Sequence, residues 1–147
     1  MRKLFQFKVL TEWQQEVFKN PKSHTSKIAG KSELEISAAP EFKGDASLHN
    51  PEDLLLSALS SCHMMSYFYV CKRNNIDILS YKDNALGTLV LNEDSSGAFQ
   101  KIQLRPQVVL RDTSQSELAH SLHQQAHELC FIANSINFPV EIEPKFS

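Results

Sequence analysis

Glycine is nearly absent. The four in 147 residues are scattered, so no Gly-rich loop exists to cradle a phosphate, and nucleotide binding by that route is excluded. A basic surplus is missing too: 15 Lys and Arg against 17 Asp and Glu give a formal charge of −2, with no Lys/Arg run. Nucleic-acid binding needs such a surplus to neutralise phosphates, so that class is excluded as well. Cysteine is scarce and odd in number, at three, which does not make a secreted disulfide framework. The first residues lack the apolar core and small-residue cleavage site of a secretory signal. The expectation is a reducing cytoplasm, where a thiol pair is catalytic, redox-sensing or metal-binding rather than structural. Long hydrophobic runs are also missing. Residues 54–70 carry no Asp, Glu, Lys or Arg but include Ser57, Ser60, Ser61, Cys62, His63 and Ser66. They fall short of the roughly 20 apolar residues a bilayer requires. They read as a soluble helix buried on every side, and no membrane partner is expected.

The composition that remains, 41% hydrophobic and 22% charged, is that of a soluble globular protein, and the length fits one domain over 1–147. Residues 3–10 and 23–37 alternate apolar and polar, the period of strands with one wet face. A helix then opens with Asn50 as N-cap, Pro51 at the first position and Glu52 and Asp53 facing the dipole, and it ends near Asn75. Residues 76–93 and 99–111 read as one long antiparallel pair, with Pro106 marking an edge or a bulge. Ser114 to Glu117 form a capping box for a second helix reaching about Asn134, with Leu118, Leu122, Ala126, Leu129 and Ile132 on its apolar face. A last strand covers 138–142. Strands and helices in this order give an α+β fold with an antiparallel sheet. The first helix is apolar around nearly its whole circumference, more than one sheet can cover, so a symmetric homodimer is expected.

Cys62 and Cys130 each fall in a helix-like segment. A thiol on a rigid element with a second in reach suits peroxide reduction: one takes the oxygen and the other resolves the sulfenic acid. Free cysteine is also among the most buried residue types, and mid-helix Cys62 gains nothing from the dipole, so an activated thiolate there needs a nearby cation. Cys71 lies half a turn away from Cys62 and reads as a small buried hydrophobe. His120, His123 and His127 share a helix face, and the last two have metal-compatible spacing. Without a HExxH or CxxC companion they read as structural, and no metal is expected. His63 lies about 100° round the helix from Cys62 and points elsewhere.

These residues resemble the OsmC/Ohr family, the osmotically inducible and organic hydroperoxide resistance proteins. The likeness rests on Pro51-Glu52 with Cys62 ten residues on and on the run from Ser60 to Met64. Tyr81-Lys82-Asp83, Gly87, Leu104-Arg105-Pro106 and Ala126 to Cys130 before Asn134-Ser135 add to it. It covers residues 20–144, and the Ser-Ser-Cys-His-Met version resembles a less characterised branch. The resemblance implies an intertwined homodimer, with two long helices central between antiparallel sheets, that reduces organic hydroperoxides by thiol chemistry. Cys62 would be the peroxidatic thiol, Cys130 the resolving one, and Glu52 part of the site. Glu52 and Cys62 on one helix lie about 15 Å apart along its axis, so a shared site takes Glu52 from the partner chain. The family's thiolate-binding arginine falls at Lys22, which supplies charge but no planar fork; Arg105 and Arg111 are substitutes.

The expected function is a thiol-dependent peroxidase acting on organic hydroperoxides, resolved as a Cys62–Cys130 disulfide and recycled by a lipoylated or thioredoxin-like dithiol. No cofactor is implied. The rival is a non-catalytic or weakly active binder of a small hydrophobic ligand in the crevice beside Tyr67, Phe68 and Phe131. Lys22 in place of the arginine favours it, whereas the second cysteine favours the enzyme.

Overall fold

A computed structural model describes residues 1–146 and shows two compact units, Met1–Leu55 and Leu56–Ser147. The first holds an antiparallel sheet of β1 (Leu10–Glu12), β2 (His24–Lys27) and β3 (Leu34–Ile36) in the order β1-β2-β3. Only Leu10 of the expected first strand is paired, because the ladder with β2 ends at Leu10 opposite Lys27. Alternation predicts two faces, but a strand also needs a partner for its backbone groups. Gly30, at φ 77°, turns the chain between β2 and β3. Gly44 has no substitute: a Cβ there would sit 1.7 Å from the Ala38 carbonyl oxygen.

Helix α1 (Pro51–Arg73) starts in this unit and runs into the second. Its N-cap is the expected one, Asn50 Oδ1 accepting from the Asp53 N–H at 2.9 Å. The charge-free run thus lies in a helix of 23 residues, long and apolar enough by length and composition to cross a bilayer. The expectation of burial on every side fails within the chain. Leu59, His63, Tyr67, Val70 and Cys71 form one buried stripe, while Met65 and Tyr69 are 58% and 53% exposed.

The second unit pairs β4 (Ile78–Asp83) with β7 (Pro106–Leu110) and β5 (Leu86–Leu91) with β6 (Gly97–Leu104), both antiparallel. The single long pair expected from the sequence is therefore two pairs in two sheets, β4-β7-β9 and β5-β6-β8. The outer strands β8 (Val140–Ile142) and β9 (Lys145–Phe146) add in parallel. The edge or bulge expected at Pro106 is not found there: β7 is the middle strand of its sheet, and the proline opens it, where a missing N–H costs no interior ladder bond. Helix α2 (Ser116–Leu129) follows a 3₁₀ turn, Thr113–Gln115, whose cap is Asp112 accepting from the Ser114 N–H. The capping box starting at Ser114 does not form: that residue lies inside the turn. The architecture is α+β. One core cluster joins Tyr67, Val70 and Cys71 to Val108, Leu110, Ala119, Leu122 and Ala126. Another gathers Leu59, Ile102, Leu104 and Cys130.

Candidate active site

Helix α2 ends at Leu129, not near Asn134, and the break makes the site. Cys130 is the C-cap, with φ −73° and ψ 114°, so its side chain leaves the helix axis at a fixed angle. Its N–H donates to the His127 carbonyl, and its sulfur accepts the Ala133 N–H at 3.4 Å. Cys62, in the middle of α1, packs on the same apolar cluster. The two thiols are free, neighbour each other, and stand outside S–S bonding distance. They differ in environment: Cys130 is fully buried and Cys62 half-buried. Burial pushes the Cys130 thiol up to about 11; the Ala133 N–H opposes this, and the neighbouring Cys62 thiol adds to it. Cys62 opens on an apolar hollow of about 410 Å³ lined by Met65, Ser66, Tyr69, Leu129 and Phe131. Cys71 belongs to the other cluster, beside Tyr67, and burial raises its thiol too.

The other expected site residues stand as follows. Lys22 is an exposed loop residue of the first unit, and its ammonium donates to the Phe42 carbonyl. Glu52 lies in the first turn of α1, with Oε2 buried and lacking a hydrogen-bond partner among the described residues. Ten residues of the same helix, about 15 Å of rise, separate it from Cys62. Arg111 pairs with Asp77 at 2.6 Å on the surface. The Arg105 backbone N–H donates to Asp83 Oδ1, while Asp83 Oδ2 accepts from Ser60 at 2.5 Å.

One constellation escaped the sequence. His63 Nε2 and His123 Nδ1 are 3.0 Å apart in rings only 10° from parallel, with centroids 5.3 Å apart. The rings therefore meet edge to edge through one N–H···N bond. Tyr67 lies flat on His123 at 3.8 Å, and its hydroxyl donates to the Ala119 carbonyl at 2.7 Å. Burial lowers His63 to about 4, helped by His127 and opposed by Asp83. Burial lowers His123 to about 3, helped by His63 and His120. Both rings are thus neutral at pH 7. The outer nitrogens, His63 Nδ1 and His123 Nε2, are buried without hydrogen-bond partners among the described residues, and each such group costs about 1–3 kcal/mol. The only signal in the sequence was that His63 points away from Cys62; nothing in the spacing linked it to His123. Among the described residues no three His, Cys, Asp or Glu side chains are placed to hold a metal ion.

A family model described as OsmC-like protein matches residues 44–145. An uncharacterized protein of Bacillus subtilis, YmaD, is 29% identical over 111 residues, 74% of this chain and 73% of its own. The solved structure of an OsmC-like protein of unknown function from Vibrio cholerae superposes with a TM-score of 0.85 at 31% identity, covering 97% of this chain and 100% of that one. The organic hydroperoxide resistance protein OhrB of Bacillus subtilis shares the fold, with a TM-score of 0.67 at 20% identity over 99% and 100% of the two chains.

Proposed function

The chain belongs to the OsmC-like family, and from that premise we propose that it is a thiol-dependent peroxidase reducing organic hydroperoxides. One observation carries the reading: a half-exposed thiol at an apolar hollow, with a buried second thiol at the same apolar cluster. The Cys62 thiolate attacks the distal peroxide oxygen and the O–O bond breaks. The alkoxide leaves as the alcohol after taking a proton, and Cys62 becomes a sulfenic acid. Cys130 then attacks that sulfur. The S–S bond forms, the S–O bond breaks, and the oxygen departs as water with the Cys130 proton. The raised Cys130 thiol favours this division of labour, because it stays protonated and unreactive toward peroxide until the sulfenic acid stands beside it. A lipoylated or thioredoxin-like dithiol reopens the disulfide. The apolar lining of the hollow favours an organic peroxide over hydrogen peroxide.

The working unit is a cytoplasmic homodimer of one OsmC-like domain per chain, spanning 1–147. Support comes from surfaces a lone chain leaves bare: Met65, Phe68 and Tyr69 on α1, and Leu4, Phe5, Phe7 and Trp13 around edge strand β1. Glu52, about 15 Å along the same helix from Cys62, would complete the site from the partner subunit. A second reading, a binder of small hydrophobic ligands, draws on Lys22, whose ammonium already serves the Phe42 carbonyl. Stopped-flow oxidation by cumene hydroperoxide and hydrogen peroxide separates the two. Fast consumption of the organic peroxide, lost in Cys62→Ser, is the expected result. Slow oxidation unaffected by Cys62→Ser or Lys22→Arg would leave the binder.

A further inference from the structure

We propose that the hydrogen-bonded pair His63–His123 is a positioning device for the disulfide step, setting α1 against α2 so that Cys62 and Cys130 meet. The inference rests on the reading that Cys130 resolves oxidised Cys62. His63 directly follows Cys62, so at about 100° per residue one faces α2 while the other faces the cluster that holds Cys130. His123 belongs to α2, whose C-cap is Cys130. Whatever fixes His63 on His123 therefore fixes the axial setting of both thiols.

The same core gathers Val70 and Cys71 of α1 with Ala119, Leu122 and Ala126 of α2, an apolar surface without direction. Such a surface tolerates a small slide. A disulfide does not, since it demands an S–S length of about 2.05 Å and a dihedral near ±90°. Two directional contacts resist the slide, Tyr67 to the Ala119 carbonyl and His63 to His123, and the second is the one adjacent to Cys62. Tyr67 stacked on His123 holds that ring to one plane. Leucine at both positions would fill the core without stranding the outer nitrogens His63 Nδ1 and His123 Nε2. The pair thus supplies geometry rather than burial. His63 and His123 touch no reacting atom and are positioning residues.

The test compares three forms of the full chain. His63→Leu/His123→Leu removes the bond. His63→Gln/His123→Asn restores polar groups near Nε2 and Nδ1, the atoms that make it. Each form is oxidised with cumene hydroperoxide, trapping Cys62 sulfenic acid with dimedone, and separately with diamide, which takes two electrons and two protons from a thiol pair as the S–S bond forms. In the leucine variant, disulfide formation is expected to slow roughly tenfold or more with both oxidants, while sulfenic acid forms at the native rate and accumulates. The Gln/Asn variant recovers most of the rate. Disulfide formation at the native rate in the leucine variant with diamide would overturn the proposal. If peroxide fails to oxidise Cys62 in the native chain, the peroxidase reading falls, and the diamide arm still decides the positioning. Should the leucine variant not fold, His63→Phe keeps a ring without the bond and gives the same readout.

Discussion

The two candidate thiols are neighbours with opposite surroundings, and their variants should fail differently. Cys62→Ser is expected to abolish peroxide consumption. Cys130→Ser should leave the first oxidation intact and let a sulfenic acid persist, seen as a mass gain of one oxygen on the intact chain. Equal first-phase loss in both variants would contradict the assigned order. Because burial holds the Cys130 thiol near 11, its thiolate fraction grows with pH below that value, so the disulfide step should accelerate from pH 7 upward. Stopped-flow traces with the two phases resolved check this. At this scale the sequence singled out Cys62 and Cys130, and the structure sets both at one apolar cluster, as neighbours rather than bonded partners. The Lys22 ammonium donates to the Phe42 carbonyl, a bond that depends on how a loop closes and leaves no trace in residue spacing.

Among the elements, α1 and its N-cap could be read directly, because capping, Pro at the first position and terminal charge all act within a few residues. Asn50→Ala should cost about 1 kcal/mol in denaturant unfolding. The end of α2 was misplaced for a physical reason. The apolar spacing of Leu129, Ile132 and Ala133 continues past Cys130, but the backbone turns extended there and resumes as a 3₁₀ turn, Ala133–Ser135. Periodicity reports faces, not the dihedral that interrupts them. The histidine pair adds a pH term of definite sign. Both folded values lie below the ordinary histidine value, so the unfolded chain binds more protons below about pH 6.5. Stability is unaffected above that pH and falls as pH drops from there toward 4, by up to roughly 1.4 kcal/mol per unit for each ring. Urea titrations of the native chain should show the slope, and His63→Leu/His123→Leu should flatten it. An unchanged slope would mean that other groups carry the acid sensitivity.

For the whole molecule, the α+β class followed from the order of elements, whereas the division of four strands into two sheets did not, since the alternation of 76–93 and 99–111 is the same for one long hairpin or two pairs. The circumferential apolarity of α1 pointed beyond the chain, and Met65, Phe68 and Tyr69 are the face it leaves bare. Met65→Glu/Tyr69→Glu is expected to shift sedimentation from dimer to monomer and to abolish peroxidase activity, because both residues also line the hollow at Cys62 and the partner subunit's Glu52 would no longer complete the site. A fully active monomer would refute that shared site. The most direct test of the central claim is rapid-quench mass analysis of the reduced protein mixed with one equivalent of cumene hydroperoxide, without added reductant. The expected product is one Cys62–Cys130 disulfide per chain, two hydrogen atoms lighter, formed with one equivalent each of cumyl alcohol and water. A chain that stays reduced while the peroxide persists would contradict the account.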